Sequence, residues 1–105
     1  MEIREYQTQA HKTSAVKRDS ILHAIAGIPA EAGEIAAVLQ KYHRGDYEWA
    51  DFTQKLEKEL GDLLWYAAEL ATVLGWNLDD IAQMNLDKLK QRASKGTIAG
   101  SGDDR

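Results

Sequence analysis

The chain has 105 residues, 44% hydrophobic and 29% charged, with a net charge of −4, which describes one globular domain and excludes a disordered chain. With no cysteine, disulfides, thiolate zinc sites and cysteine nucleophiles are excluded, and the acidic surplus argues against a polynucleotide as the main ligand. No apolar run approaches the roughly 20 residues of a membrane span, and Met1-Glu2-Ile3-Arg4-Glu5 has no apolar signal core, so no membrane association and a cytoplasmic location are expected.

The pattern is helical nearly throughout. Residues from about Ile3 to Thr13 read as a short polar helix with Ile3, Tyr6 and Ala10 as its apolar anchors. A second helix begins near Ser20, its core stripe made by Ile21, Leu22, Ile25, Ala32, Ile35, Ala36 and Leu39 at steps of three and four. Pro29 interrupts that stripe, which predicts a kink or a fresh start with the proline in the first turn. His43-Arg44-Gly45-Asp46 is a stop signal. Asp51-Phe52-Thr53-Gln54 has the form of a capping box and opens the strongest helix, with Leu56, Leu60, Leu63, Leu64, Ala67, Leu70, Ala71 and Leu74 on one side, ending at Gly75. Asn77, with Asp80 three residues on, starts the last helix, in which Leu78, Ala82, Leu86, Leu89 and Ala93 are expected to face inward. Strand patterns are absent. The fold class is all-α: a small bundle of three long helices plus a short N-terminal one, forming a single domain over 1–105, with a core over about 20–93 and a flexible tail over 94–105.

One four-residue device occurs twice on these helices, as Glu31-Ala32-Gly33-Glu34 and as Glu59-Leu60-Gly61-Asp62. Each sets two carboxylates at i and i+3, with Cβ atoms roughly 5–6 Å apart on one face. Like charges so close destabilise a helix by a few tenths of a kcal/mol, and each mid-helix glycine costs about 1 kcal/mol relative to alanine. A sequence selected for helix stability alone would avoid both. The carboxylates flank the apolar stripes, so they are expected partly buried where two helices meet, and a hard cation such as Mg²⁺ would satisfy four of them. Gly33 and Gly61 would let a ligand or another backbone approach closely. A di-iron bundle would need Glu-x-x-His, and none of His11, His23 or His43 follows a glutamate by three.

The last helix supplies the complement. Asn85, Lys88 and Arg92 form a polar, basic stripe suited to phosphate oxygens. Trp65, Tyr66 and Trp76 are candidates to stack a nucleobase, with Tyr6 and Gln7 able to close over it. In the tail, Thr97, Ser101 and Arg105 could fold over a triphosphate.

Glu-x-x-Glu and Glu-x-x-Asp on consecutive helices, followed by Asn-x-x-Lys on the next, resemble the MazG-type nucleoside triphosphate pyrophosphohydrolases. These belong to the all-α superfamily that also contains dimeric dUTPases and phosphoribosyl-ATP pyrophosphohydrolase. The resemblance covers roughly residues 20–93. It implies Mg²⁺-dependent (or Mn²⁺-dependent) hydrolysis of an NTP or dNTP between the α and β phosphates, giving a monophosphate and pyrophosphate. Glu31, Glu34, Glu59 and Asp62 would then hold metal, Glu34 would be the catalytic base, and Asn85, Lys88 and Arg92 would bind phosphate. The resemblance further implies a homodimer, or a tetramer of dimers, with sites near the subunit interface. The alternative is a non-catalytic helical module that binds a nucleotide or a protein through a degenerate metal site.

Overall fold

The apolar periodicity folds as four helices: α1 (Ile3–His11), α2 (Ser20–His43), α3 (Trp49–Val73) and α4 (Leu78–Lys95). The computed structural model describes residues 1–15 and 20–105, and no strand occurs among them. The all-α bundle expected from the sequence is therefore the fold.

Glycine sets where the long helices stop. At the end of α3, Gly75 takes φ 75°. This left-handed residue lets the Trp76 N–H reach the Ala71 carbonyl at 2.8 Å and its own N–H reach Thr72 at 3.0 Å, the pair of bonds that satisfies the last free carbonyls of a helix. The same arrangement ends α2 at Gly45 and α4 at Gly96. Helix starts follow the sequence less closely. Helix α3 opens one turn before the expected capping box, with Glu48 at its N-cap and Asp51 inside the first turn, where its charge still favours the helix dipole. Pro29 lies inside a continuous α2 rather than starting a new helix. Asn77 is the N-cap of α4, and its amide donates to the Asp80 carboxylate at 3.3 Å instead of forming a backbone cap.

Helices α2 and α3 form the central hairpin, and α1 packs along α3. Helix α4 touches α1 and α3 but not α2. A buried glutamine ties this corner together: Gln7 donates through Nε2 to Thr72 Oγ1 and to the Trp76 carbonyl, and its Oε1 accepts from the Leu78 N–H. Gln7 thus joins α1 to the α3–α4 turn. Beside it, the buried Glu69 carboxylate sits 3.1–3.2 Å from His11 Nδ1.

The core is small, and the stripes read from the sequence largely miss it. Among the described residues its buried apolar members are Ala10, Ala24, Val38, Phe52, Ala68 and Ala71, and no large side chain is fully enclosed. Ile21, Leu22, Ile25 and Leu39 of the α2 stripe, Leu60 and Leu64 of α3, and Leu86 and Leu89 of α4 are exposed, Leu22 at 67% and Leu86 at 60%. Ala82 and Ala93 are exposed too. Periodicity identifies a face that avoids water without saying what covers it. The radius of gyration is 16.6 Å, against roughly 13 Å for a compact chain of this length. Helix α2 also has the length and hydropathy of a membrane span over an 18-residue window, contrary to the expectation from uninterrupted runs, and only 17% of that window is buried. Glu31 and Glu34 lie within α2, where mid-helix carboxylates would cost about 3 kcal/mol each in a bilayer.

Candidate functional site

The central hairpin brings Glu31 of α2 against Glu59 and Asp62 of α3. One carboxylate oxygen from each of the three lies within 4.8 Å of the others. Glu31 and Glu59 are half-buried and Asp62 is exposed. Burial raises the Glu31 carboxyl above the ordinary carboxylate range, helped by a hydrogen bond with Glu59 and by the charges of Asp62, Glu59 and Glu34. No cation of the chain pairs with the three among the described residues. Three convergent, mutually repelling carboxylate oxygens are a donor set that suits a hard divalent cation.

Glu34, the fourth predicted ligand, is exposed and outside this group. Three residues along a helix turn the side chain about 60° off the original face. When Glu31 faces α3, Glu34 leaves on the flank, close enough only for its charge to act on Glu31.

The cleft beside the carboxylates, about 400 Å³, is lined by Glu31, Asp62, Trp65, Tyr66 and Thr13. Trp65 and Tyr66 follow Asp62 by three and four residues and so share its face of α3. The Trp65 indole N–H donates to Thr13 Oγ1 at 2.8 Å and to the Ala10 carbonyl at 3.2 Å, which fixes the ring under the end of α1. Tyr66 packs edge-on against Trp65 and tilted against His23. Tyr6 belongs to this neighbourhood as well: partial burial and the Asp62 charge both push its hydroxyl pKa up. Trp76, the third candidate aromatic, borders different clefts with Gly75 and Asn77.

The two glycines of the carboxylate devices do not bear a close contact. A Cβ on Gly33 or Gly61 would meet nothing within 4 Å. The glycine that matters sterically is Gly27, one turn before Glu31, where a Cβ would fall 2.1–2.6 Å from the Tyr66 ring. Sequence reasoning missed it because it lies outside the repeated device. Its signal was its position on the same α2 face as Glu31.

The basic stripe is built differently. Asn85 and Lys88 line a separate cavity of about 240 Å³ with Ile81, Met84 and Asp103, and no residue borders both this cavity and the acidic cleft. Arg92 is buried, its side chain 7% exposed. Both cations are engaged by the tail, which is folded back on α4. Asp103 Oδ1 accepts from Lys88 Nζ at 2.7 Å and from Arg92 Nη2 at 3.0 Å, and Arg92 also donates to the Asp103 carbonyl. Lys88 and then Arg92 hold the Asp103 carboxyl below the usual carboxylate range. Arg105 closes the loop by donating to the carbonyls of Thr97, Ile98 and Gly102, and Thr97 bonds back to the Arg92 carbonyl. No local pattern signals this pairing, since it joins residues 11 and 15 apart across a glycine-rich turn.

Residues 19–97 match the MazG nucleotide pyrophosphohydrolase domain. The Gene 37 protein of Mycobacterium phage L5 is 41% identical over 91 residues, covering 83% of this chain and 78% of that protein. No solved structure matches the chain.

Proposed function

Because the chain belongs to the MazG nucleotide pyrophosphohydrolase domain family, we propose that it hydrolyses an NTP or dNTP between the α and β phosphates in the presence of Mg²⁺, releasing a monophosphate and pyrophosphate. The observation that supports this reading is the convergence of Glu31, Glu59 and Asp62, with no cation paired to them among the described residues.

Those three residues would hold Mg²⁺, or Mn²⁺ in its place. When bound, the metal supplies positive charge for phosphate oxygens and acidity for a water molecule. Glu34, on the flank of the cluster, would take the proton from the water attacking the α-phosphorus. Trp65 and Tyr66 line the cleft beside the carboxylates, where a base would stack. Asn85, Lys88 and Arg92 would take the leaving pyrophosphate and offset its growing charge. Since α4 does not touch α2 in one chain, this last role requires the stripe of a second copy or a movement of α4. The exposed apolar stripes of α2 and α3 favour the second copy, so the working form is a homodimer or a tetramer of dimers. An NTP or dNTP is the expected partner rather than a nucleic acid polymer, and the cytoplasm the expected place of action.

The test is product analysis with Mg²⁺ and a panel of NTPs and dNTPs, beside Glu34→Gln and Asp62→Asn. Monophosphate plus pyrophosphate, lost in both variants, is the expected result. Orthophosphate as the first product would overturn the α–β assignment. No turnover of any nucleotide by a folded, metal-binding protein would favour a non-catalytic binding module.

A further inference from the structure

Lys88 and Arg92 present a paired positive charge on α4, yet a carboxylate of the same chain already meets that charge. The single oxygen Asp103 Oδ1, 2.7 and 3.0 Å from the two cations, sits where a phosphate oxygen would in charge-assisted hydrogen bonds to both. A phosphate and Asp103 cannot both hold that position, because two anions so close repel.

The contact is poorly matched on the protein side. Asp103 uses only Oδ1 and engages Arg92 through Nη2, leaving Arg92 Nε buried without an acceptor. A guanidinium in its preferred fork would use two nitrogens on two oxygens. The carboxylate is also the exposed part of an otherwise fixed loop, its side chain 77% exposed. The loop has anchors that do not involve that carboxylate: Arg105 on three carbonyls, Thr97 on the Arg92 carbonyl, and Arg92 on the Asp103 carbonyl. Gly100 and Gly102, at φ 127° and 85°, shape the turn that delivers Asp103.

We propose that Asn85, Lys88 and Arg92 form an anion site whose counter-ion in the free chain is the Asp103 carboxylate, and that a pyrophosphate group binds by displacing that side chain while the loop stays folded. Asp103 is then a built-in competitor that weakens binding of the pyrophosphate moiety. The cavity beside it, open between Asn85 and Lys88, receives the rest of the ligand. The inference rests on the proposed pyrophosphate role of this stripe and sets how that role is regulated.

The experiment is calorimetric titration of the metal-free protein with pyrophosphate at low ionic strength, for the natural chain, Asp103→Asn, Asp104→Asn and Lys88→Met. Circular dichroism melting of each variant checks the fold. Asp103→Asn is expected to bind about fivefold tighter, the scale of an exposed ion pair, with the gain fading at high salt. Asp104→Asn removes the same charge one residue on and is expected to change binding by less than about twofold. Lys88→Met is expected to abolish binding in either background. Asp103→Ala serves the same purpose if the amide distorts the loop. Binding equal to or weaker than that of the natural chain when Asp103 is replaced would overturn the inference. So would the absence of pyrophosphate binding in a protein that still hydrolyses NTP, which would leave the proposed function standing. Tighter binding by Asp103→Asn in a protein that turns over no nucleotide would support the anion site and remove the catalytic reading instead.

Discussion

The α2–α3 face and the α4–tail face each collect charge of one sign, but they are finished differently. On the first, Glu31, Glu59 and Asp62 converge with no cation paired to them among the described residues, and the Glu31 carboxyl is held above its ordinary range. On the second, Lys88 and Arg92 converge on a carboxylate that the tail brings back to them. Mutual repulsion marks a place that gains free energy when something outside the chain arrives. A neutralised pair marks a place where an arriving anion must first compete. The two faces would therefore respond in opposite ways to removal of their acidic residues.

The largest expected effect tests the acidic face through catalysis. Glu34→Gln should lower kcat by about 10²–10⁴-fold, the usual contribution of a general base, while leaving the Mn²⁺ affinity measured by titration nearly unchanged. Asp62→Asn should weaken both activity and metal binding. Loss of metal affinity in Glu34→Gln as well would move Glu34 into the ligand set and erase the distinction between the two roles.

Next comes the packing that fixes the acidic cleft. Gly27→Ala drives a methyl into the Tyr66 ring, and overpacking of this kind destabilises by about 1–3 kcal/mol. At roughly 4–8 °C per kcal/mol for a domain this size, the drop in Tm should be obvious in a thermal melt. Gly33→Ala, with nothing near its Cβ, should leave Tm unchanged or raise it through better helix propensity.

A smaller effect is the pH dependence of the metal-free chain. The Glu31 pKa is raised on folding, so the folded state binds that proton more tightly than the unfolded state. Its contribution to stability is present at low pH and declines as pH rises through the ordinary carboxylate pKa and the raised folded value. Asp103 works in the opposite sense: its lowered pKa contributes stability above the ordinary carboxylate pKa that is lost as pH falls through the folded value. Thermal melts across pH should show Mg²⁺ stabilising most at the upper end of the Glu31 window, and Glu31→Gln should flatten that metal dependence. The smallest expected effect is on the closed side. Asp103→Asn should remove the acid-side loss while scarcely changing Tm at neutral pH, because exposed ion pairs contribute little.

Helix positions were legible because glycine stops and apolar periodicity are local. Gly45, Gly75 and the start of α4 at Asn77 fall where the sequence places them. The pairing of Glu31 with Glu59 and Asp62 was legible too, since it needs only two helices packed side by side. Other features depended on contacts distant in sequence. Nothing in the α2 stripe tells whether Ile25 and Leu39 meet the chain's own core or another surface, and in one chain they meet neither. Gln7, which the sequence leaves free to close over a base, is bonded into the α3–α4 turn. Asp103 sits in a glycine-rich segment whose composition reads as flexible, and only Arg92 and Arg105 together reveal that it folds.

The most direct test of the proposed chemistry is hydrolysis of the preferred nucleotide with Mg²⁺ in ¹⁸O-enriched water, followed by mass analysis of both products. Attack at the α-phosphorus puts the label in the nucleoside monophosphate and leaves pyrophosphate unlabelled, which is the predicted result. Label in the pyrophosphate would place the attack on the β-phosphorus and contradict the account.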